Sequence, residues 1–368
     1  PIVTAPGPLK TKEGSRYSLE FDIEVALAKY QWHLPLDRQV KMMAVQGLEV
    51  KSQTLFGRID TLAWYLEANV MPRIVAEIMA QKVKMADETT WQNLGKRTKH
   101  AKKKKFYFWV VRAGRAICFE AYDSRSGKIA KTFLQDIEGI LLVDGYTGYN
   151  ALASARLIIA RDWVHGRRKF KAAEASEKKT ANWFIDKIDR LFTIERRIKG
   201  APLDFVSKMR NRFSRRVVEE IKAKLDELGP KTLPRAALGK AIAYMQTYWQ
   251  GLNVFLEYPE LPIHTNAIEG AIRHPVVGRN NHRGSNNIKT AHMATVFYSI
   301  IETCKINGVD PRRYLMMAMT AILTKQPVPM PWDLVLKPVS KTVNFETMPS
   351  LIVNYIENAA GAASKAVS

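Results

Sequence analysis

Cysteine is nearly missing from this chain. Of 368 residues two are cysteines, Cys118 and Cys304, far apart inside apolar segments. That excludes a disulfide framework and a zinc ribbon. No run approaches the ~20 apolar residues of a membrane-spanning helix. No signal peptide opens the chain, so a cytoplasmic protein that keeps clear of membranes is expected. There is no glycine-rich phosphate loop and no defensible Ser/His/Asp order. Acids are scarce relative to bases: 35 Asp and Glu stand against 57 Lys and Arg, a net charge of +22 at pH 7. Such a surplus points to a polyanionic partner, nucleic acid ahead of a membrane surface. The sequence opens at Pro1 rather than Met, so a preceding segment is expected to be missing.

A hydrophobic content of 46% over this length supports a core without staples and two or three domains. Residues 1–17, rich in Pro, Gly and Lys, read as a linker. Residues 18–81 read as an N-terminal helical segment: Ser18 opens a first helix, Pro35 separates it from the next, and Ser52 can cap a third carrying Ile59, Leu62 and Leu66 on one face. Helix, glycine turn and helix fit a DNA-reading motif, but more often form an ordinary helical hairpin. Residues 82–170 contain the strand signals, 171–260 read as a helical block inserted into an α/β core, and 261–323 return to that core. A Pro-punctuated tail occupies 324–368.

Three acids stand out. Lys82–Asp87 is a short extended stretch ending in Asp87. Ile140–Val143 is an apolar run closed by Asp144-Gly145, the pattern of a strand buried on both faces. Asp-Gly also makes hairpin turns, but Tyr146–Ala155 lacks strand alternation and reads as a loop running into a helix. An acid at a strand end sits at the rim where open α/β sheets bind ligands. Glu269 falls in the first turn of a helix begun by Asn266, where it either completes a capping box or displays its carboxylate toward that rim. Carboxylates from different elements can hold a pair of Mg²⁺ ions about 3.5–4 Å apart, one activating a water or 3′-hydroxyl and the other stabilising the leaving oxygen.

Basic residues cluster at Lys102, Lys103, Lys104 and Lys105 in a loop before the strands Phe106–Arg112 and Ala116–Tyr122. His165, Arg167, Arg168 and Lys169 form a second group. Arg273, Arg279, Arg283 and Lys289 follow Glu269 in what reads as a basic, glycine-containing loop at 278–287. All three groups are expected to contact phosphates, which sets affinity and salt dependence more than sequence choice. His264, His274, His282 and His292 have spacings that fit no zinc site and are expected to meet phosphate or solvent. Phe297, Tyr298, Ile301 and Cys304 follow helical spacing and should be core.

The ordered set Ala86-Asp87-Glu88-Thr89, Val143-Asp144-Gly145-Tyr146-Thr147-Gly148-Tyr149-Asn150, His165-Gly166-Arg167-Arg168-Lys169-Phe170, Asn266 with Glu269, Val277-Gly278-Arg279-Asn280 and Lys305-Ile306-Asn307-Gly308 closely resembles the insertion sequence 66 family of transposases, from about Ser18 to about Leu323. The resemblance implies a DDE enzyme with an α/β, RNase H-like mixed-sheet core. Asp87, Asp144 and Glu269 would be its catalytic, metal-binding triad, with Mg²⁺ as cofactor and Mn²⁺ as substitute. It further implies cleavage at transposon ends, joining of the 3′-OH to target DNA, a homodimer on double-stranded DNA, accessory transposition proteins and a nucleoid-associated location. His264-Thr265-Asn266 stands where the family usually has Asp-Asn-Asn, Gly270 where it has Arg, and Asp162-Trp163-Val164-His165 where it has Cys-Trp-Ala-His. Rival functions are a DNA-binding transposase relic and an RNase H-like nuclease that cuts without joining.

Overall fold

The computed structural model describes residues 7–95 and 105–334. Four helices come first: α1 (Leu19–Tyr30), α2 (Leu36–Val45), α3 (Ser52–Asn69) and α4 (Met71–Ala80). The Ser18 hydroxyl accepts from the Phe21 N–H and caps α1 as expected. Ser52 does not cap α3; it is already the first helical residue, behind Lys51. Ile59, Leu62 and Leu66 are buried on one face, against α1. Asp22 of α1 is fully buried and takes both arms of Arg58, at 2.7 and 2.8 Å, which offsets the desolvation of its charge.

Five strands follow: β1 (Val83–Gln92), β2 (Lys105–Ala113), β3 (Ala116–Tyr122), β4 (Gly139–Val143) and β5 (Leu157–Arg161). Their spatial order is β3-β2-β1-β4-β5. β1, β2 and β3 are antiparallel neighbours, while β4 and β5 run parallel to β1. β1 does not stop at Asp87. Its first residues, Val83–Met85, pair with β4, and Glu88–Gln92 continue the antiparallel ladder with β2. A long-range partner, invisible to local pattern, extends the strand.

Asp144-Gly145 makes no hairpin. A short helix, α5 (Gly127–Phe133), precedes β4, and a 3₁₀ turn at Thr147–Leu152 leads to β5, which lies parallel to β4. β5 is absent from the strands expected above, being five residues without alternation or turn signals. Ile140–Val143 are all buried, as a central strand requires.

The helical block opens with α6 (Trp163–Ile198), which crosses the expected boundary at residue 170 and consists of two helical segments joined across a kink at Glu177. It continues through α7 (Leu203–Met209), a π-helical turn at Arg210–Ser214, α8 (Arg215–Leu228), α9 (Ala237–Thr247) and α10 (Trp249–Asn253). Trp163, Phe170, Phe184 and Ile188 of α6 share one core with Ile140 and Leu142 of β4 and with Ile242 and Met245 of α9. Stacked Phe170 and Phe184 lie 4.2 Å apart.

α11 (Asn266–His282), α12 (Ile288–Ile306) and α13 (Pro311–Leu323) return to the sheet. The stretch expected as a loop from residue 278 is helix up to His282, with Pro275 accommodated inside it. Phe297, Tyr298, Ile301 and Cys304 of α12 are fully buried, as their spacing implied. α12 covers β3: Ser299 Oγ accepts from the Phe119 N–H at 2.8 Å, and Thr303 Oγ1 accepts from the Ile117 N–H and donates to the Ile117 carbonyl. Hydroxyls thus satisfy backbone groups that an edge strand leaves open. Among the described residues no helix is long and apolar enough to cross a membrane.

Candidate active site

Two parallel strands set the position of two acids. Met85 of β1 lies beside Leu142 of β4. Asp87 and Asp144 each stand two residues beyond that rung, hence at the same level of the sheet. β4 has just ended at Val143, so Asp144 leaves the core at its rim, as expected. The Asp144 carboxylate accepts from the Tyr146 N–H at 2.9 Å and turns the chain. Glu269 arrives from α11, which packs on β1. No capping box forms from Asn266. Thr265 holds the N-cap position, so Glu269 is the fourth helical residue and its N–H donates to the Thr265 carbonyl at 3.1 Å. Its carboxylate is 3.9 Å from Arg168.

The three acids lie in one another's field. Asp87 is pushed up from the ordinary 3.8 to about 7, first by burial and then by the charges of Glu88, Asp144 and Glu269, against a hydrogen bond from the Glu88 N–H. Their ligand atoms are not all within 4.8 Å of one another; among the described residues that closeness belongs to Asp162, His165 and Glu269. Asp87, Asp144 and Glu269 nevertheless share the donor type that a hard divalent cation takes. They offer carboxylate oxygens only, and a cation would relieve the part of the Asp87 rise that comes from neighbouring charges rather than from burial.

The surroundings hold these acids from behind. Glu88 accepts from Tyr149 Oη at 2.5 Å and from Arg125 Nε at 2.6 Å, tying β1 to the turn after Asp144. Buried Arg161 donates to the Asp144 carbonyl and to Asn150 Oδ1, and its guanidinium stacks 4.4 Å from the Tyr248 ring. Tyr248 Oη in turn donates to the Gly145 carbonyl at 2.9 Å. Gly145 is needed there, because a Cβ would come within 2.3 Å of Tyr244. Burial opposes the charge of Asp162, but bonds from His165 and Thr265 prevail and hold its carboxyl below the ordinary range. Burial likewise opposes the His165 imidazolium, while Asp162 and the charge of Asp144 raise it overall.

The chain matches the family model for the IS66 family of transposases over residues 14–293. It belongs to that family. It is 28% identical over 338 residues to y4jD, an uncharacterized protein of Sinorhizobium fredii, covering 88% of this chain and 66% of the relative. It is 29% identical over 341 residues to y4qI, another uncharacterized protein of the same organism, covering 84% of this chain and 61% of the relative. The chain thus spans less than two thirds of the length of these relatives.

Within this IS66-family chain the basic residues divide. Arg167 is engaged by Asp189 through two bonds of 2.7 Å. Arg279, read from sequence as a phosphate contact, donates to Thr90 Oγ1 at 2.8 Å and to the Thr90 carbonyl, bracing α11 on β1. Lys105, Arg168, Lys169, Arg273, Arg283 and Lys289 are exposed; Lys289 lies 3.4 Å from Asp60, and Lys169 Nζ lies 5.6 Å from the centre of the Tyr244 ring. His165 is half-buried against Asp162. Lys102, Lys103 and Lys104 lie outside the described residues. Two histidines expected to meet phosphate or solvent do neither: His274 Nδ1 lies 2.7 Å from Glu302, and His282 packs among Tyr30, Trp91 and Tyr298. His292 pairs with Glu67 at 2.9 Å. The sequence reading missed Arg161 and Asp162 as site residues. Their one signal is a charge pair closing the apolar run Leu157–Ala160.

Proposed function

We propose that this chain carries the catalytic core of a DDE-type DNA transposase, with Asp87, Asp144 and Glu269 holding Mg²⁺, or Mn²⁺ in its place. What supports this reading is that Asp87 of β1, Asp144 just past the end of β4 and Glu269 of α11 lie near enough for the charges of the latter two to add to the rise of the Asp87 carboxyl, after burial and Glu88. The strand order β3-β2-β1-β4-β5, three antiparallel strands followed by two parallel ones, supports an RNase H-like core. That core comprises residues 82–162 and 261–323, with the helical block that opens at Trp163 as its insertion.

Bound Mg²⁺ would activate the attacking oxygen and offset charge on the leaving oxygen. The protein's own part is positional. Asp87 stands on a strand paired on both sides, Asp144 on a turn clamped by Arg161 and Tyr248, and Glu269 on a braced helix. Exposed Arg168 beside Glu269 and the surplus of +22 attract the phosphate backbone of transposon ends and target DNA. A homodimer holding two ends, accessory proteins and a nucleoid location follow from the class as further parts of the proposal.

The test is strand transfer of a pre-cut oligonucleotide bearing a free 3′-OH, in Mg²⁺, Mn²⁺ or Ca²⁺, with Asp87→Asn, Asp144→Asn and Glu269→Gln alongside. Joined product in Mg²⁺ or Mn²⁺, lost in all three variants, is expected. Cutting without joining would assign a nuclease instead, and DNA binding without product would assign a relic.

A further inference from the structure

We propose that Asp162 and Thr265 form a latch that positions Glu269, and that Asp162 is not itself a metal ligand. The inference rests on the reading of Glu269 as a ligand.

Asp162 is fully buried where β5 passes into α6. Its Oδ1 accepts from the Val164 N–H and caps α6. Its Oδ2 accepts from the Thr265 N–H at 3.1 Å and from the Thr265 hydroxyl, and faces His165 Nδ1 at 3.3 Å. A carboxylate offers about four lone-pair sites; here Oδ2 faces three protein groups and Oδ1 one. A cation at Asp162 would therefore leave buried donors unpaired, a cost that outweighs its closeness to His165 and Glu269.

The other end of the latch explains its purpose. Thr265 lies 103 residues after Asp162, with the whole helical block between them. The returning chain is joined to the start of α6 at two points, the Trp163 N–H on the Ile263 carbonyl at 3.0 Å and Asp162 on Thr265. Thr265 is the N-cap of α11 and accepts the first helical bond from Glu269. Residues four apart share a helix face, so the latch lies one turn below the Glu269 carboxylate. Arg112 donates to the Ala267 carbonyl at 2.7 Å and holds the same turn from β2. Loss of the latch therefore shifts Glu269 without freeing α11.

The experiment uses the full chain, titrated calorimetrically with Mn²⁺ and melted in chelator, as parent, Thr265→Val, Thr265→Ser, Asp162→Asn and Glu269→Gln. Thr265→Val removes the hydroxyl and keeps the backbone donor. Removal of an orienting partner typically costs about 10–100-fold in metal affinity, and that loss is expected for Thr265→Val and Asp162→Asn, with Thr265→Ser restoring the parent's affinity. Unchanged Mn²⁺ affinity in Thr265→Val, whatever its melting temperature, would overturn the latch while leaving the metal site standing. Parent and Glu269→Gln binding Mn²⁺ equally, or neither binding it, would overturn the metal reading and the latch with it.

Discussion

At the scale of single residues the site is a balance between buried acids and the donors behind them. Asp87 keeps its proton up to about pH 7 in the native chain, against the ordinary 3.8. Between those values the folded state binds more protons than the unfolded one, so this group makes metal-free stability fall as pH rises from about 4 to 7. Asp87→Asn removes that titration. Its melting temperature in chelator is expected to exceed the parent's above pH 7 and to converge with it near pH 4, while activity is lost. Arg161 is a second case. Arg161→Met leaves the Asp144 carbonyl and Asn150 without their donor and is expected to cost about 1–3 kcal/mol in denaturant unfolding, with strand transfer falling further than folding accounts for. The strand end at Asp144 was legible because an acid closing an apolar run is a local signal, whereas Asp87 lies in mid-strand. Arg161 was not legible, because its partners lie on a turn and between α9 and α10.

At the scale of elements, the π-helical turn between α7 and α8 shows how the helical block is fastened. Arg210, nearly buried, holds Glu195 of α6 through two bonds and also donates to the carbonyls of Phe255, Tyr258 and Leu261. A guanidinium can serve so many acceptors in one plane; an ammonium cannot. Arg210→Met leaves half-buried Glu195 and three carbonyls without their donor, expected to cost about 1–3 kcal/mol, to be read from denaturant melts. The breaks at Gly200, Pro202, Gly229 and Pro234 were legible, since Gly and Pro interrupt helices wherever they lie. The length of α11 was not: its Gly278 and Asn280 read as loop, but Gly278 is where the helix passes close to Tyr298, whose hydroxyl a Cβ would meet at 2.1 Å.

At the scale of the whole molecule, the N-terminal helices meet α11 and α12 across half-buried histidines. His33 is lowered to about 4 by burial first, then by His274 and Lys305, with Glu302 opposing. His282 is lowered to about 3 by burial first, then by Lys29 and His33. Unfolded histidines take up protons below about pH 6.5 and these do not, so they make stability fall as pH drops from 6.5 toward 4. This runs opposite to the Asp87 effect, and the variants separate the two. His282→Gln is expected to flatten the acid limb of the melting-temperature profile, whereas Asp87→Asn alters the limb between pH 4 and 7 in the other sense. A slope unchanged in His282→Gln would show that other groups carry the acid limb.

Sequence alone determined the α/β class, the strands Phe106–Arg112 and Ala116–Tyr122, the cap of α1 and the buried face of α12, because apolar runs, caps and turn residues act over a few positions. Only the tertiary structure decided that β1 runs past Asp87, that Arg279 braces a helix, that His274 and His282 turn inward, and that Asp162 meets Thr265. Each of those outcomes depends on a partner brought close by folding, and local pattern does not encode which distant group will satisfy a buried charge or an open strand edge.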